Sequence, residues 1–153
     1  MENNKEQKVS AIKDGTVIDH IPAQNLFKVI SLLGLADIEN AITFGTNLES
    51  KKLGRKSIIK VADKFFRDDE IDKIALVAPE AKLNIIRNYE VVEKRQVSLP
   101  DEITGYVRCF NPKCITNHED ITTRFTVVSK LPLALKCHYC DKVTTEEHLT
   151  INS

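Results

Sequence analysis

The sequence predicts an α+β fold: an antiparallel sheet with two helices on one face, followed by a small all-β domain. Three observations carry this reading. Short β-branched runs alternate with two stretches of helical period over the first hundred residues. All the cysteines, at 109, 114, 137 and 140, fall in the last third of the chain. Between these regions, residues 93–101 read EKRQVSLPD, polar, with a proline and no periodicity, as a linker does. The expected domains are therefore 1–97 and 98–153.

Residues 8–12 and 16–21 read as strands around Asp14-Gly15, a dipeptide suited to a tight turn. Pro22 suits the start of a helix, where its missing N–H costs nothing. Leu26, Val29, Ile30 and Leu33 then give that helix one apolar face, and Gly34 can cap its end. Residues 41–47 (AITFGTN) and 57–62 (SIIKVA) are the next strands. Asp68 or Asp69 can cap a second helix, which buries Ile71, Ile74, Ala75 and Ala78 and stops before Pro79. Residues 82–87 and 89–92 complete an approximate order ββαββαββ. Two helices covering one face of such a sheet is the economical packing, and it leaves the other face for water or a partner. The pattern resembles the ferredoxin-like class. Beyond residue 101, four shorter strands are expected at 105–109, 121–129, 133–137 and 143–151.

Composition excludes several functions. The chain has 153 residues, with Lys+Arg 22 against Asp+Glu 22, a net charge of zero. It has no global field to hold a polyanion, so phosphate binding would need a local cluster. With 6 Phe, 3 Tyr and no Trp, it is poor in stacking platforms for single-stranded nucleic acid. No apolar run approaches the roughly 20 residues of a membrane span, and the N-terminal MENNKEQ lacks the apolar core of a signal peptide. The expected location is cytoplasmic.

In a reducing compartment cysteines in close pairs are metal ligands more often than disulfides. Cys109-x4-Cys114 and Cys137-x2-Cys140 are two such pairs, and Asn-Pro inside the first favours a turn. Four thiolates suit tetrahedral Zn2+ and leave no position open for water, so the expected ion is structural. A disulfide pair, unrelated buried thiols and an iron–sulfur site are the competing readings; His118 and His138 are substitute ligands. A core of about fifty residues commonly needs such a staple.

The first hundred residues show no nucleophile elbow, Walker loop or G-x-G-x-x-G, and their glycines are scattered. Phosphates would have to be held by lysines. Lys56 and Lys60 share a strand face by their even spacing, Lys94 closes the last strand, and Asp19 and His20 end the second. A carboxylate can accept hydrogen bonds from ribose hydroxyls. Spacing alone equally fits solvated charges at sheet edges.

The runs GTVIDHIPAQ (15–24), ITFGTNLES (42–50), GRKSIIK (54–60) and APEAKLNIIRNYEVVEK (78–94), followed by SLP and the four cysteines, together resemble the regulatory chain of aspartate carbamoyltransferase. The resemblance spans essentially the whole chain. It implies a non-catalytic subunit in pyrimidine biosynthesis, with an N-terminal nucleotide-binding allosteric domain and a C-terminal zinc domain contacting the catalytic chain. It also implies a homodimer of regulatory chains within a dodecamer of six catalytic and six regulatory chains. CTP would inhibit, ATP would activate, and UTP could reinforce inhibition. Carried over by position, Ala11 and Ile12 would touch the base or ribose, with backbone groups of Ile12, Ile86 and Tyr89 at the base edge. Asp19 would hold the ribose, Lys60 the base and ribose, and Lys94 the phosphates. Asn84 and Val91 would line the pocket, with Val17, His20 and Lys56 as outer contacts. Ser10 stands where well-known members carry an acidic residue. Asn111, Glu119 and Tyr139, beside the metal, are the expected catalytic-chain contacts. The competing function classes are a zinc-ribbon nucleic-acid module and a small enzyme.

Overall fold

A computed structural model of the chain describes residues 11–152. It divides into two compact units, Met1–Ser98 and Leu99–Ser153.

The first unit is a five-stranded antiparallel sheet with two helices. Its elements run β1 (Gly15–Pro22), α1 (Leu26–Leu32), β2 (Ile42–Ser50), β3 (Gly54–Ala62), α2 (Asp68–Ile74), β4 (Lys82–Arg87) and β5 (Glu90–Gln96). The sheet order is β2-β3-β1-β4-β5. β1 and β3 are the inner strands of two interleaved crossovers, β1 to β2 and β3 to β4, the ferredoxin-like arrangement, with β5 added beside β4. Ile18, Ile59, Val61 and Leu83 from the strands pack with Leu26, Val29, Ile71 and Ile74 from the helices, all buried. Asn25, buried at the entrance to α1, donates from Nδ2 to the Val77 carbonyl at 2.7 Å. That bond ties the start of one helix to the exit of the other.

Several boundaries differ from expectation. The strand expected at 8–12 lies partly outside the described residues, and Ala11 and Ile12 carry no strand. Pro22 ends β1 rather than opening a helix; a 3-10 turn, Ala23–Asn25, intervenes before α1. Gly34 closes that region in the left-handed conformation at φ 63. Asp68 and Asp69 sit inside the first turn of α2 rather than capping it. Glu70 instead reaches back to the Arg67 N–H at 3.0 Å. β2, β3 and β5 are all longer than their apolar runs, because an exposed strand end needs only a hydrogen-bonding neighbour.

The second unit is all β. Strands β6 (Glu102–Thr104), β8 (Arg124–Lys130), β9 (Leu133–Cys137) and β10 (Val143–Thr145) form a sheet of order β10-β9-β8-β6. β7 (Val107–Arg108) pairs with β11 (Thr150–Ile151). The run expected at 143–151 is broken by a 3-10 turn at Glu146–His148, and β6 has no counterpart in the sequence reading. Phe125, Leu135 and Ile103 fill the core.

Candidate functional site

Side chains alternate across a strand, so the buried Thr16 and Ile18 leave Val17 and Asp19 on the sheet face away from the helices. Register then assembles a row on that open face. Lys60 of β3 stands opposite Val17 of β1, Val17 opposite Asn84 of β4, and Asn84 opposite Lys94 of β5. At roughly 4.8 Å between strands the row spans about 14 Å from Lys60 to Lys94. A second row runs parallel to it: Gly15, Ile86 and Val91 are successive partners. Val91 and Lys94 share this face despite their odd spacing, because β5 carries an extra residue between the pairs Ile85↔Glu93 and Ile86↔Val91.

Gly15 makes the second row possible. Its φ is +141, and a Cβ there would lie 2.1 Å from the Val61 carbonyl oxygen. The Ile12 side chain closes over the same glycine, 3.0 Å from that Cβ position. The segment around residues 11–14 lies along the β4–β5 hairpin. Asp14 Oδ1 accepts from the Asn88 N–H at 3.0 Å, and the Lys13 carbonyl accepts from the Tyr89 N–H at 2.8 Å. Tyr89 is exposed at the hairpin tip, and its N–H is thereby engaged within the chain. Ala11 is exposed. Ser10 lies outside the described residues.

At the far end of β1 the backbone bulges between the β3 register points Ile18 and Ile21, and His20 takes φ 62. Asp19 Oδ1 accepts from the His20 N–H at 2.6 Å and from Lys56 Nζ at 2.9 Å. His20 Nδ1 is buried, 3.5 Å from the same oxygen, and has no hydrogen-bond partner among the described residues. Burial lowers the imidazole pKa from 6.5; Asp19 raises it, and Lys56, Lys82 and Lys52 lower it further. His20 is therefore neutral at pH 7. Among the described residues, Lys56, Lys60, Lys82 and Lys94 share the open face with a single strand carboxylate, Asp19. A chain of zero net charge thus carries one strongly cationic surface. Lys82 escaped the sequence reading, although its even spacing from Asn84 was the available signal.

In the second unit the four cysteines converge. Their sulfurs all lie within 4.8 Å of one another, with Cys109–Cys140 at 3.6 Å and Cys114–Cys137 at 3.8 Å. Four thiolates around one tetrahedral ion, with metal–sulfur bonds of about 2.3 Å, would stand about 3.8 Å apart, so the cage fits. Cys109, Cys114 and Cys137 are buried. Burial pushes the Cys109 and Cys137 thiols up, so a cation must supply the charge that makes all four thiolates. At Cys140 burial acts in the same direction. Hydrogen bonds from the Asn111 side chain, the Lys142 backbone and the Cys109 and Cys137 thiols together outweigh it and bring that thiol down to about 7.

Each cysteine loop is pinned by its own hydrogen bonds. The Tyr139 N–H donates to Cys137 Sγ at 3.4 Å, and Asp141, at φ 62, folds back to the Cys137 carbonyl at 3.0 Å. In the first loop Asn117 Nδ2 donates to the carbonyls of Cys109 and Asn111 at 3.0 and 2.8 Å. Asn117 was not singled out from the sequence. The histidines stand apart from the cage: His118 Nε2 bonds the Pro112 carbonyl and His138 Nε2 bonds Thr126 Oγ1, each at 2.8 Å. Asn111 Oδ1 accepts from the Lys113 N–H at 3.1 Å, so this side chain helps shape its loop. Glu119 and Tyr139 are exposed, Tyr139 within the second cysteine loop.

An α+β unit with one open, lysine-rich sheet face, joined to a unit built around a closed four-cysteine cage, defines a class: a ligand-sensing domain coupled to a metal-binding domain. Comparison with known proteins gives that class its family. Residues 7–98 match the family model described as aspartate carbamoyltransferase regulatory chain, allosteric domain; residues 101–150 match the metal binding domain of the same chain. The aspartate carbamoyltransferase regulatory chain of Bacteroides fragilis is 57% identical over 150 residues, covering 98% of each chain. That of Phocaeicola vulgatus is 57% identical over 152 residues, 99% of this chain and 98% of its own. That of Pyrococcus horikoshii is 55% identical over 149 residues, 96% and 98% respectively. The chain belongs to the aspartate carbamoyltransferase regulatory chain family. It is a regulatory, non-catalytic chain with an allosteric and a metal-binding domain. No helix among the described residues is long and apolar enough to cross a membrane.

Proposed function

We propose that residues 1–97 bind CTP as inhibitor and ATP as activator at one site, with UTP as a further pyrimidine ligand, in the cytoplasmic regulation of pyrimidine biosynthesis. Residues 98–153 hold one structural Zn2+ through Cys109, Cys114, Cys137 and Cys140, and dock on the catalytic chain of aspartate carbamoyltransferase. The assembly is a dodecamer of six catalytic and six regulatory chains, the latter paired as homodimers.

The observation that carries the nucleotide reading is the row Lys60–Val17–Asn84–Lys94. It sets two cations at the ends of one strip of sheet, with a polar amide and a small apolar contact between them. Lys94 takes the phosphates and Lys60 the base and ribose. Asp19, held by Lys56, accepts the ribose hydroxyls. Ile12, Ile86, Tyr89, Val91 and Ala11 close around the base, and His20 and Lys56 are outer contacts; for Tyr89 the carbonyl is the backbone group that serves. Ser10 is assigned to the phosphate side. Regulation follows from differential affinity: a nucleotide shifts the holoenzyme only by binding its two quaternary states unequally, typically by about 1–3 kcal/mol.

Zinc supports the docking unit as a closed site that organises both cysteine loops. Asn111, Glu119 and Tyr139 stand on or beside those loops and are assigned to the catalytic-chain contact.

The test is calorimetry of CTP and ATP on the full chain and on Lys94→Ala, with aspartate kinetics of the reconstituted holoenzyme. Losing a charge-assisted contact to phosphate should weaken CTP binding about 10- to 100-fold. Unchanged affinity in Lys94→Ala would remove the assignment.

A further inference from the structure

The cationic face holds one lysine to which the proposed nucleotide contacts give no task. Lys82 opens β4 directly opposite Asp19 and two residues before Asn84, so its side chain leaves the sheet on the same open face. Its own partner on β5 is the neutral Gln96. Every other charge in this corner has an engagement. Lys56 holds Asp19 at 2.9 Å, and Lys52 pairs with Glu80 at 2.7 Å. The Lys82 ammonium is exposed and forms no ion pair or side-chain hydrogen bond among the described residues. It is nevertheless electrostatically part of the corner, acting on both His20 and Glu80.

Lys82 is placed between the two functions of the site. One strand spacing separates its backbone from Asp19. One strand spacing across the sheet and two residues along it separate its backbone from that of Lys94, roughly 8 Å in all. A lysine side chain covers most of that gap. An isolated ammonium among three other lysines is disfavoured by like-charge repulsion until an anion arrives, so an incoming polyphosphate meets a cation with no internal contact to give up.

We propose that Lys82 is a phosphate-binding residue of this chain, gripping the polyphosphate tail of a nucleoside triphosphate together with Lys94 and setting the preference for triphosphate over monophosphate. The inference rests on the nucleotide reading of the open face. A ribose held at Asp19 carries its 5′ substituent across the strip that Lys82 and Lys94 flank. A monophosphate reaches one of these cations, whereas a triphosphate has enough anionic oxygens for both.

The experiment is calorimetry of CTP and of cytidine monophosphate on the unaltered full chain, on Lys82→Gln and on Lys82→Arg. Lys130→Gln, in the other unit, controls for a general change of net charge. Lys82→Gln is expected to weaken CTP about tenfold, the order of one charge-assisted hydrogen bond, and to leave the monophosphate within about twofold. Lys82→Arg restores CTP binding, and Lys130→Gln changes neither ligand. Equal CTP affinity in the unaltered chain and Lys82→Gln would overturn the inference alone. Equal losses for CTP and monophosphate would also overturn it, because they mark a general effect on the sheet. An unaltered chain that takes up neither ligand would bring down the nucleotide reading, and this inference with it.

Discussion

Stripping the metal should unfold the second unit and leave the first intact. The unit Leu99–Ser153 has a thin core, with Phe125, Ile103 and Leu135 as its largest fully buried side chains. At roughly 0.05–0.15 kcal/mol per residue, a folded domain of this length has a net stability of about 3–8 kcal/mol. Structural zinc contributes about 10–16 kcal/mol of apparent binding free energy near neutral pH. The ion's contribution exceeds the whole margin, and its loss leaves Cys109, Cys114 and Cys137 as a buried cluster of neutral thiols with no cation to tie the two loops together. The assay is amide hydrogen exchange on the full chain before and after chelation, with released metal counted by a colorimetric indicator. Protection in β8 and β9 should vanish while β1, β3 and β4 keep theirs. A metal-free chain that still protects β8 and β9 would refute the reasoning, because its apolar core would then suffice.

Two further outcomes follow from the first unit. His20 has its native pKa lowered from 6.5, so the native state binds fewer protons there than the unfolded chain. Its contribution to stability is complete above pH 6.5 and is lost as pH falls through the native value. Thermal unfolding between pH 5 and 7 should show a steeper acid-side decline for the unaltered chain than for His20→Gln; parallel curves would contradict this. Gly15→Ala places a Cβ 2.1 Å from the Val61 carbonyl at φ +141 and should cost at least about 3 kcal/mol, lowering the calorimetric midpoint by more than about 10 °C. A shift under about 2 °C would mean that β1 and β3 can part without penalty.

The metal cage was legible in the sequence because its chemistry is written in residue type and short spacing, both independent of how strands pair. The helices were legible for a similar local reason: Leu26, Val29 and Leu33 repeat at one period whatever lies opposite. The open face was only half legible. Even spacing put Lys56 and Lys60 on one side of β3, but nothing local says that β4 lies beside β1 or that Asn84 meets both Val17 and Lys94. Such neighbours are set by long-range pairing. Lys82 was passed over because an isolated lysine at a strand start reads as a solvated charge until Asp19 is found opposite. Asn117 was missed because its two carbonyl partners belong to a loop whose shape depends on the cage itself. The run expected at 143–151 as a strand or strand pieces is two short strands, because its β-branched residues border Glu146–His148, which turns instead.

The extra residue in β5 has a consequence for how this surface can change. In a plain strand paired from the hairpin tip, Glu93 would stand beside Asn84, and Lys94 would turn toward the helices. The sign of charge at that end of the strip is therefore stored in backbone geometry. A substitution that irons out the irregularity would swap an ammonium for a carboxylate without altering either side chain. Such a change would turn a surface that attracts anions into one that repels them at that end, while composition and net charge stayed almost the same.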